Sequence, residues 1–213
     1  MNVQLTRRDV VYGGVSLVLA TCVGLSVARA DEVDVAELMQ PSKLGDIILG
    51  SDSAPVTIVE YASMTCGHCA DFSVHTLPQI KERYIDTGKV RYILREFPLD
   101  PLAAGAFMLA RCAGKDKYYS LVETLFAQAS KWVVPNPIPA LFAIAKQAGF
   151  TQQTFDECLS NQKLLDELEE VRKRGADKFK IQATPTFFVN GERLMGAQPF
   201  SEFEKVIEKH LKS

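Results

Sequence analysis

The 213-residue chain has no excess of basic charge: 24 Lys and Arg face 26 Asp and Glu, a net of −2. Nothing in that balance seeks a phosphate backbone, so nucleic acid is not an expected partner. It has no internal repeat and no low-complexity tract. It has a single CxxC, Cys66-Gly67-His68-Cys69, and Ala70 follows it where covalent haem attachment through CxxCH needs a histidine. Long uncharged apolar sequence is confined to Val10 through Val27.

That run follows Arg7-Arg8 and ends at Ala28-Arg29-Ala30, a small-x-small cleavage site before Asp31. It reads as an export signal over 1–30, removed after Ala30, with the folded domain over 31–213 and the periplasm as the expected location. Thr6-Arg7-Arg8-Asp9-Val10-Val11 matches a twin-arginine signal in part; a plain secretory signal with paired arginines is the competing reading. An uncleaved anchor is the other alternative, since about eighteen apolar residues just span a bilayer; Gly13, Gly14, Gly24 and the cleavage site argue against it. Cutting after Ala30 leaves 183 residues, 21 basic and 25 acidic, one domain or one domain with an insertion. Cys22 leaves with the signal; as a lipidation site it is disfavoured by Thr21, where a small Gly, Ala or Ser is usual. Four cysteines then remain: Cys66, Cys69, Cys112 and Cys158.

Periodicity places these cysteines. Pro55 to Tyr61 is β-branched and apolar, a buried strand. From Cys66 the pattern turns helical, with Phe72, Leu77, Ile80 and Tyr84 on one stripe, a kink expected at Pro78 and a stop at Asp86-Thr87-Gly88. Lys89 to Phe97 is a second strand, and strand, helix and strand make a right-handed βαβ unit. Residues 101–180 read as helices: Leu102–Ala113, Tyr118–Ala129, Ile138–Ala148, Thr151–Leu159 and Gln162 to about Lys180. In the last of these, Glu169/Lys173 and Glu170/Arg174 sit four apart, the pattern of a solvated face laced with ion pairs. Thr186 to Val189 is a strand, Asn190-Gly191 turns a hairpin into Arg193-Leu194-Met195, and Ser201–Leu211 is an amphipathic helix with Phe203, Val206, Ile207 and His210 on one side. The fold class is α/β, a small sheet with a helical block inserted in its middle.

A CxxC can hold a metal, lock a fold or exchange electrons. A metal site drawing on Cys66, Cys69, His68 and His75 is disfavoured, because structural zinc usually takes two well-separated ligand pairs and His68 lies between the cysteines. His75 and His210 read as surface or helix-face residues. Disulfide exchange needs a thiolate, and Cys66 at a helix start faces unpaired N–H groups and the positive end of the helix dipole. His68 adds a hydrogen-bond donor or a positive charge. Cys69, one turn on along the same face, is within disulfide reach and is the more buried, resolving thiol.

Four stretches, APVTIVEYAS, TCGHCADF, ATPTFFVNG and LMGAQPFSEF, in this order and behind an export signal, resemble the DsbA-like branch of the thioredoxin superfamily, from about Gly50 to Lys212. The resemblance implies a thioredoxin fold with an inserted helical subdomain at about 101–180. It implies a protein dithiol-disulfide oxidoreductase in which Cys66 is the nucleophile, Cys69 resolves, and no cofactor is needed. Glu60 matches the buried acid that relays the Cys69 proton; a solvent-facing strand-end carboxylate is the alternative. Thr184-Pro185 matches a cis bond beside the CxxC whose backbone receives an extended client as an added strand. Cys112 and Cys158, on two inserted helices and without CxxC spacing, match the extra structural bridge of some relatives; two separate buried thiols are the alternative. The implied partners are exported client proteins with cysteines and a membrane or soluble redox partner that recycles the pair. His68 resembles the oxidases, Gly67 gives the dipeptide of protein disulfide isomerases, and Thr184 stands where the enterobacterial oxidase has valine. Net oxidation is expected over isomerase or reductase action, because the chain carries no recognisable dimerisation module. A binding domain that merely keeps the fold is argued against by the intact CGHC. Met64, Phe97 and Trp132 are candidates for the client groove, with core as the competing reading.

Overall fold

The structure, a computed structural model, describes residues 33–212; the expected export signal and Cys22 lie outside the described residues. Five strands form one mixed sheet: β1 (Ile48–Gly50), β2 (Val56–Ala62), β3 (Val90–Glu96), β4 (Thr186–Val189) and β5 (Glu192–Met195), in the order β1-β3-β2-β4-β5. β2 and β3 are parallel, with Ile58 opposite Tyr92 and Glu60 opposite Leu94; every other pairing is antiparallel. Every residue of β2 is buried, because the strand is central and both its faces are covered, the arrangement that favours a near-continuous apolar strand.

The helix after β2 begins as α2 (Gly67–Asp71) and runs through a π-helical segment, Phe72–Thr76, into α3 (Leu77–Ile80) and a second π segment, Lys81–Ile85. Pro78 does not stop it. The Leu77 N–H bonds the Phe72 carbonyl, five residues back, so the ladder slips just before the residue that has no N–H to give.

The inserted block is all helical: α4 (Pro101–Cys112), α5 (Lys115–Ala127), α6 (Ala129–Trp132), α7 (Ile138–Gln147), α8 (Gln152–Leu159) and α9 (Gln162–Phe179). After it come β4, β5 and α10 (Phe200–Leu211). Asn190 and Gly191 carry φ of 46° and 93°, the left-handed pair that a two-residue hairpin turn requires.

Alternation along β2 splits the core. Val56, Ile58 and Ala62 face α2, α4, α5 and α10 in one cluster, while Val59 and Tyr61 pack with Leu38, Phe97, Phe179 and Phe188 in the other. Glu60 shares the parity of the first set, so its carboxyl lies on the face that carries Cys69 and Phe72. Phe72 sits 4.5 Å from Phe187 and 5.2 Å from Phe203, which are 4.9 Å apart. Each such ring pair adds about 0.5–1.5 kcal/mol beyond area burial, and this trio pins the thiol-bearing helix onto β4 and α10.

Three short elements escape sequence patterning, the four-residue α6 among them. β1 has three residues and α1 (Val35–Leu38) four, too few for a period to show. The charged face of α9 also differs from expectation. Glu170 pairs with Lys43 at 2.9 Å, Lys178 with Glu37 at 3.4 Å, and Arg174 donates to the carbonyls of Glu37 and Gln40. The face clamps the N-terminal segment: the Glu37 carbonyl, which also accepts the Gln40 N–H at 3.2 Å, and the Gln40 carbonyl give Arg174 two backbone acceptors at the end of α1.

Cys112 ends α4 and is bonded to Cys158 of α8, closing a separation of 46 residues. Replacing both by alanine is expected to lower the unfolding free energy by about 4 kcal/mol at most, from chain entropy over that loop. Denaturant unfolding under non-reducing conditions measures it; an unchanged midpoint would mean that the helices hold without the bridge.

Candidate active site

Cys66 is the N-cap of α2, with extended backbone at φ −82° and ψ 118°, and its Sγ accepts the Cys69 N–H at 3.4 Å. A sulfur in this position meets N–H groups that the first helical turn leaves unpaired. The Cys66 thiol is pushed down to about 5, chiefly by the hydrogen bond from the Cys69 thiol; partial burial opposes this, and Thr184 and the backbone N–H groups of Cys69 and His68 lower it further. Cys69 is fully buried. Burial drives its thiol far up, and its donation to Cys66 and the nearby charges of Glu60 and Cys66 push the same way. Two sulfurs three residues apart therefore have opposite characters, and both are free thiols here.

Glu60 lies within β2 and is 1% exposed. Burial raises its carboxyl to about 8; a hydrogen bond with Tyr92 opposes the rise and the charge of Cys66 adds to it. The Tyr92 hydroxyl donates to Oε2, and Oε1 is buried with no hydrogen-bond partner among the described residues. Tyr92 was not a candidate from the sequence, where it is one aromatic in an alternating strand.

The Thr184-Pro185 bond is cis, and the Thr184 carbonyl oxygen lies 3.3 Å from the Cys66 sulfur. The loop before Cys66 is tied to the inserted block. Asp100 accepts from Thr65 Oγ1 at 2.5 Å and from the Ala103 N–H at 2.8 Å as N-cap of α4, and the Leu99 N–H donates to Ser63 Oγ at 3.2 Å. Two apolar side chains stay open nearby, Leu99 at 52% exposure beside that loop and Met195 at 55%, opposite Thr186 in the β4–β5 register. A groove of about 1100 Å³ between α4, α7 and α9 starts at Leu99 and Asp100, and neither Cys66 nor Pro185 lines it.

The remaining candidates separate. His68 is exposed and bears on the Cys66 sulfur through its backbone N–H. His75 is exposed and 3.8 Å from Asp71; His210 is 3.4 Å from Glu192 at the other end of the chain. Among the described residues no group of three His, Cys, Asp or Glu side chains is placed to hold a metal ion. Met64, Phe97 and Trp132 are at most 4% exposed, and Trp132 Nε1 donates to the Leu125 carbonyl at 2.8 Å. They are core rather than groove, because a large apolar side chain that finds a buried partner stabilises the fold more than one left in water.

The comparisons agree with this geometry. The thioredoxin family profile matches residues 42–209. A Rickettsia bellii relative, named as a protein-disulfide oxidoreductase, is 32% identical over 82% of this chain. Bacillus subtilis disulfide bond formation protein D is 29% identical over 81% of this chain and 80% of its own length. The crystal structure of Wolbachia pipientis alpha-DsbA1 superposes with a TM-score of 0.78 at 32% identity, covering 84% of this chain and 97% of that one. The chain spans 68% of the Rickettsia bellii protein and 53–55% of four other rickettsial relatives. No helix of the described residues is long and apolar enough to cross a membrane. With a thioredoxin-like sheet, an inserted helical block and a CxxC at a helix start, the chain belongs to the DsbA-like thiol-disulfide oxidoreductases of the thioredoxin superfamily.

Proposed function

We propose that the protein oxidises cysteine pairs in exported client proteins by exchanging a Cys66–Cys69 disulfide, in the periplasm, and that a separate redox partner restores the disulfide. One observation carries this reading: Cys66 is partly exposed at the N-cap of α2, where its anion is favoured, while Cys69 is buried and strongly disfavoured as an anion. Only Cys66 is open to attack. A client thiolate attacks its sulfur, the Cys66–Cys69 bond breaks, and Cys69 leaves with the electron pair and takes a proton from Glu60. The second client thiolate then attacks the client sulfur of the mixed disulfide. Cys66 leaves as thiolate, and the client has lost two electrons and the pair gained them.

Direction follows from the same asymmetry. A thiol lowered in the folded dithiol stabilises the reduced form above that pKa, and the stabilisation is lost as pH falls through about 5. At neutral pH, after solvent screening at a partly exposed sulfur, it is worth about 1–2 kcal/mol, or about 20–40 mV toward an oxidising couple. The Bacillus subtilis relative's name, disulfide bond formation protein, supports the same direction. Clients are met at the cis-proline loop, where the Thr184 backbone adjoins the sulfur, with Leu99 and Met195 as flanking apolar contacts.

The test is the Cys66–Cys69 reduction potential, equilibrated against glutathione, together with oxidation of a reduced, unfolded protein. A potential well above about −270 mV and stoichiometric oxidation by the disulfide form are expected. A potential at that thioredoxin value would reassign the protein to reduction.

A further inference from the structure

The hydroxyl of Tyr92 has no part in the steps above, yet it is buried against the acid that they use. β2 and β3 are parallel, with Glu60 opposite Leu94 and Ile58 opposite Tyr92. Glu60 and Tyr92 therefore sit one pleat apart on one sheet face, the face under Cys69. Tyr92 is 1% exposed. Its ring lies 5.9 Å from that of Tyr119 on α5, and the Tyr119 hydroxyl contacts the Tyr92 carbonyl at 3.2 Å, accepts the Leu94 N–H at 3.2 Å and donates to the Ile47 carbonyl at 2.7 Å. The phenol is thus fixed from both the backbone and the ring, and its one proton is directed at Glu60 Oε2.

We infer that Tyr92 is a positioning residue: by holding Oε2 it orients the Glu60 carboxyl and leaves Oε1 as the atom that exchanges a proton with Cys69. The inference rests on the relay reading of Glu60. In resolution of a mixed disulfide at Cys66, the Cys69 thiol gives its proton to Oε1, its sulfur bonds to Cys66, and the partner sulfur leaves with the electron pair. The carboxylate must be present for that step, and a phenol donor on Oε2 favours the carboxylate. The groups facing this site are Glu60 from β2, Cys66 and Cys69 from the start of the helix, and Tyr118 and Tyr119 from α5. On β3 itself, the buried charge of Glu96 is taken up by Arg111 at 2.5 Å and by the Tyr118 hydroxyl at 2.8 Å. Tyr92 is the only one of them that hydrogen-bonds Glu60 among the described residues.

The experiment is single-turnover release of glutathione from the full protein carrying a Cys66–glutathione mixed disulfide, followed against pH. In the unsubstituted protein the rate rises as Glu60 ionises. Tyr92→Phe, which removes only the donor, is expected to move that rise upward by about one pH unit and to slow release about tenfold below it. In Glu60→Gln the rise is lost, and Tyr92→Phe added to it changes nothing further. Site-specific replacement of Tyr92 by 3-fluorotyrosine, a more acidic phenol, is expected to move the rise downward. A Tyr92→Phe profile that coincides with the unsubstituted one, or a shift that persists in the Glu60→Gln background, overturns the role of Tyr92 alone. A Glu60→Gln protein with the original profile overturns the relay, and this inference with it. Should Tyr92→Phe fail to fold, the fluorotyrosine protein decides, and an unmoved profile there overturns the inference.

Discussion

Disulfide exchange is expected to fall to background in a Cys66→Ser protein, while Cys69→Ser keeps the first attack and stalls after it. Cys69 is fully buried and its thiol driven far up, so it offers neither access nor thiolate to an incoming disulfide. Cys112 and Cys158 are bonded to each other. Cys66 is left as the sulfur that a partner can reach, and a serine hydroxyl cannot form the mixed disulfide. With Cys69 replaced, Cys66 still attacks a client disulfide, but nothing within reach resolves the product. The measurement is mass spectrometry after incubation with an oxidised client. A persistent covalent adduct with Cys69→Ser and none with Cys66→Ser is expected; the reverse pattern would make Cys69 the initiating thiol.

Glu60→Gln is expected to stabilise the protein at alkaline pH and to slow exchange. The carboxyl is raised by burial from 4.5 to about 8, so between those values the folded chain keeps a proton that the unfolded chain has released. Stability must then fall as pH rises through that window and level off above it. The full span is worth up to about 5 kcal/mol, with about 3 kcal/mol a reasonable lower figure after relaxation of the site. Glutamine does not titrate, so the two unfolding curves should lie close together near pH 4 and diverge to that extent near pH 8. Parallel curves would place the Glu60 carboxyl in solvent contact that the fold described above does not provide. The cost of Glu60 in stability is the reason to assign it to chemistry: an unpaired buried oxygen is retained in a core position where an apolar residue would serve the fold better.

Much of the architecture was legible because local patterns are dense where it matters. The β-branched run before Cys66, the helical stripe after it, the helices over 101–180 and the Asn190-Gly191 turn each declare themselves within a dozen residues. The misses have physical causes of their own. β1 and α1 are shorter than any period. The Arg174 face looked solvated because its true acceptors, the Glu37 and Gln40 carbonyls, are more than 130 residues away in the chain. Met64, Phe97 and Trp132 are core and not groove, because burial is a property of the assembled layers.

By itself the sequence determined the candidates for the exchange proposed above: two cysteines three apart at a helix start, with a strand acid before them and a Thr-Pro after the insertion. A helix start alone favours an anion on Cys66, since its unpaired N–H groups are local to the turn. Tertiary structure decided the rest of what makes the two sulfurs unequal. It buried Cys69, brought Thr184 against Cys66, and set Tyr92 on Glu60 through the parity and register of two parallel strands. Register and desolvation arise only between segments, so no single stretch of the chain encodes them.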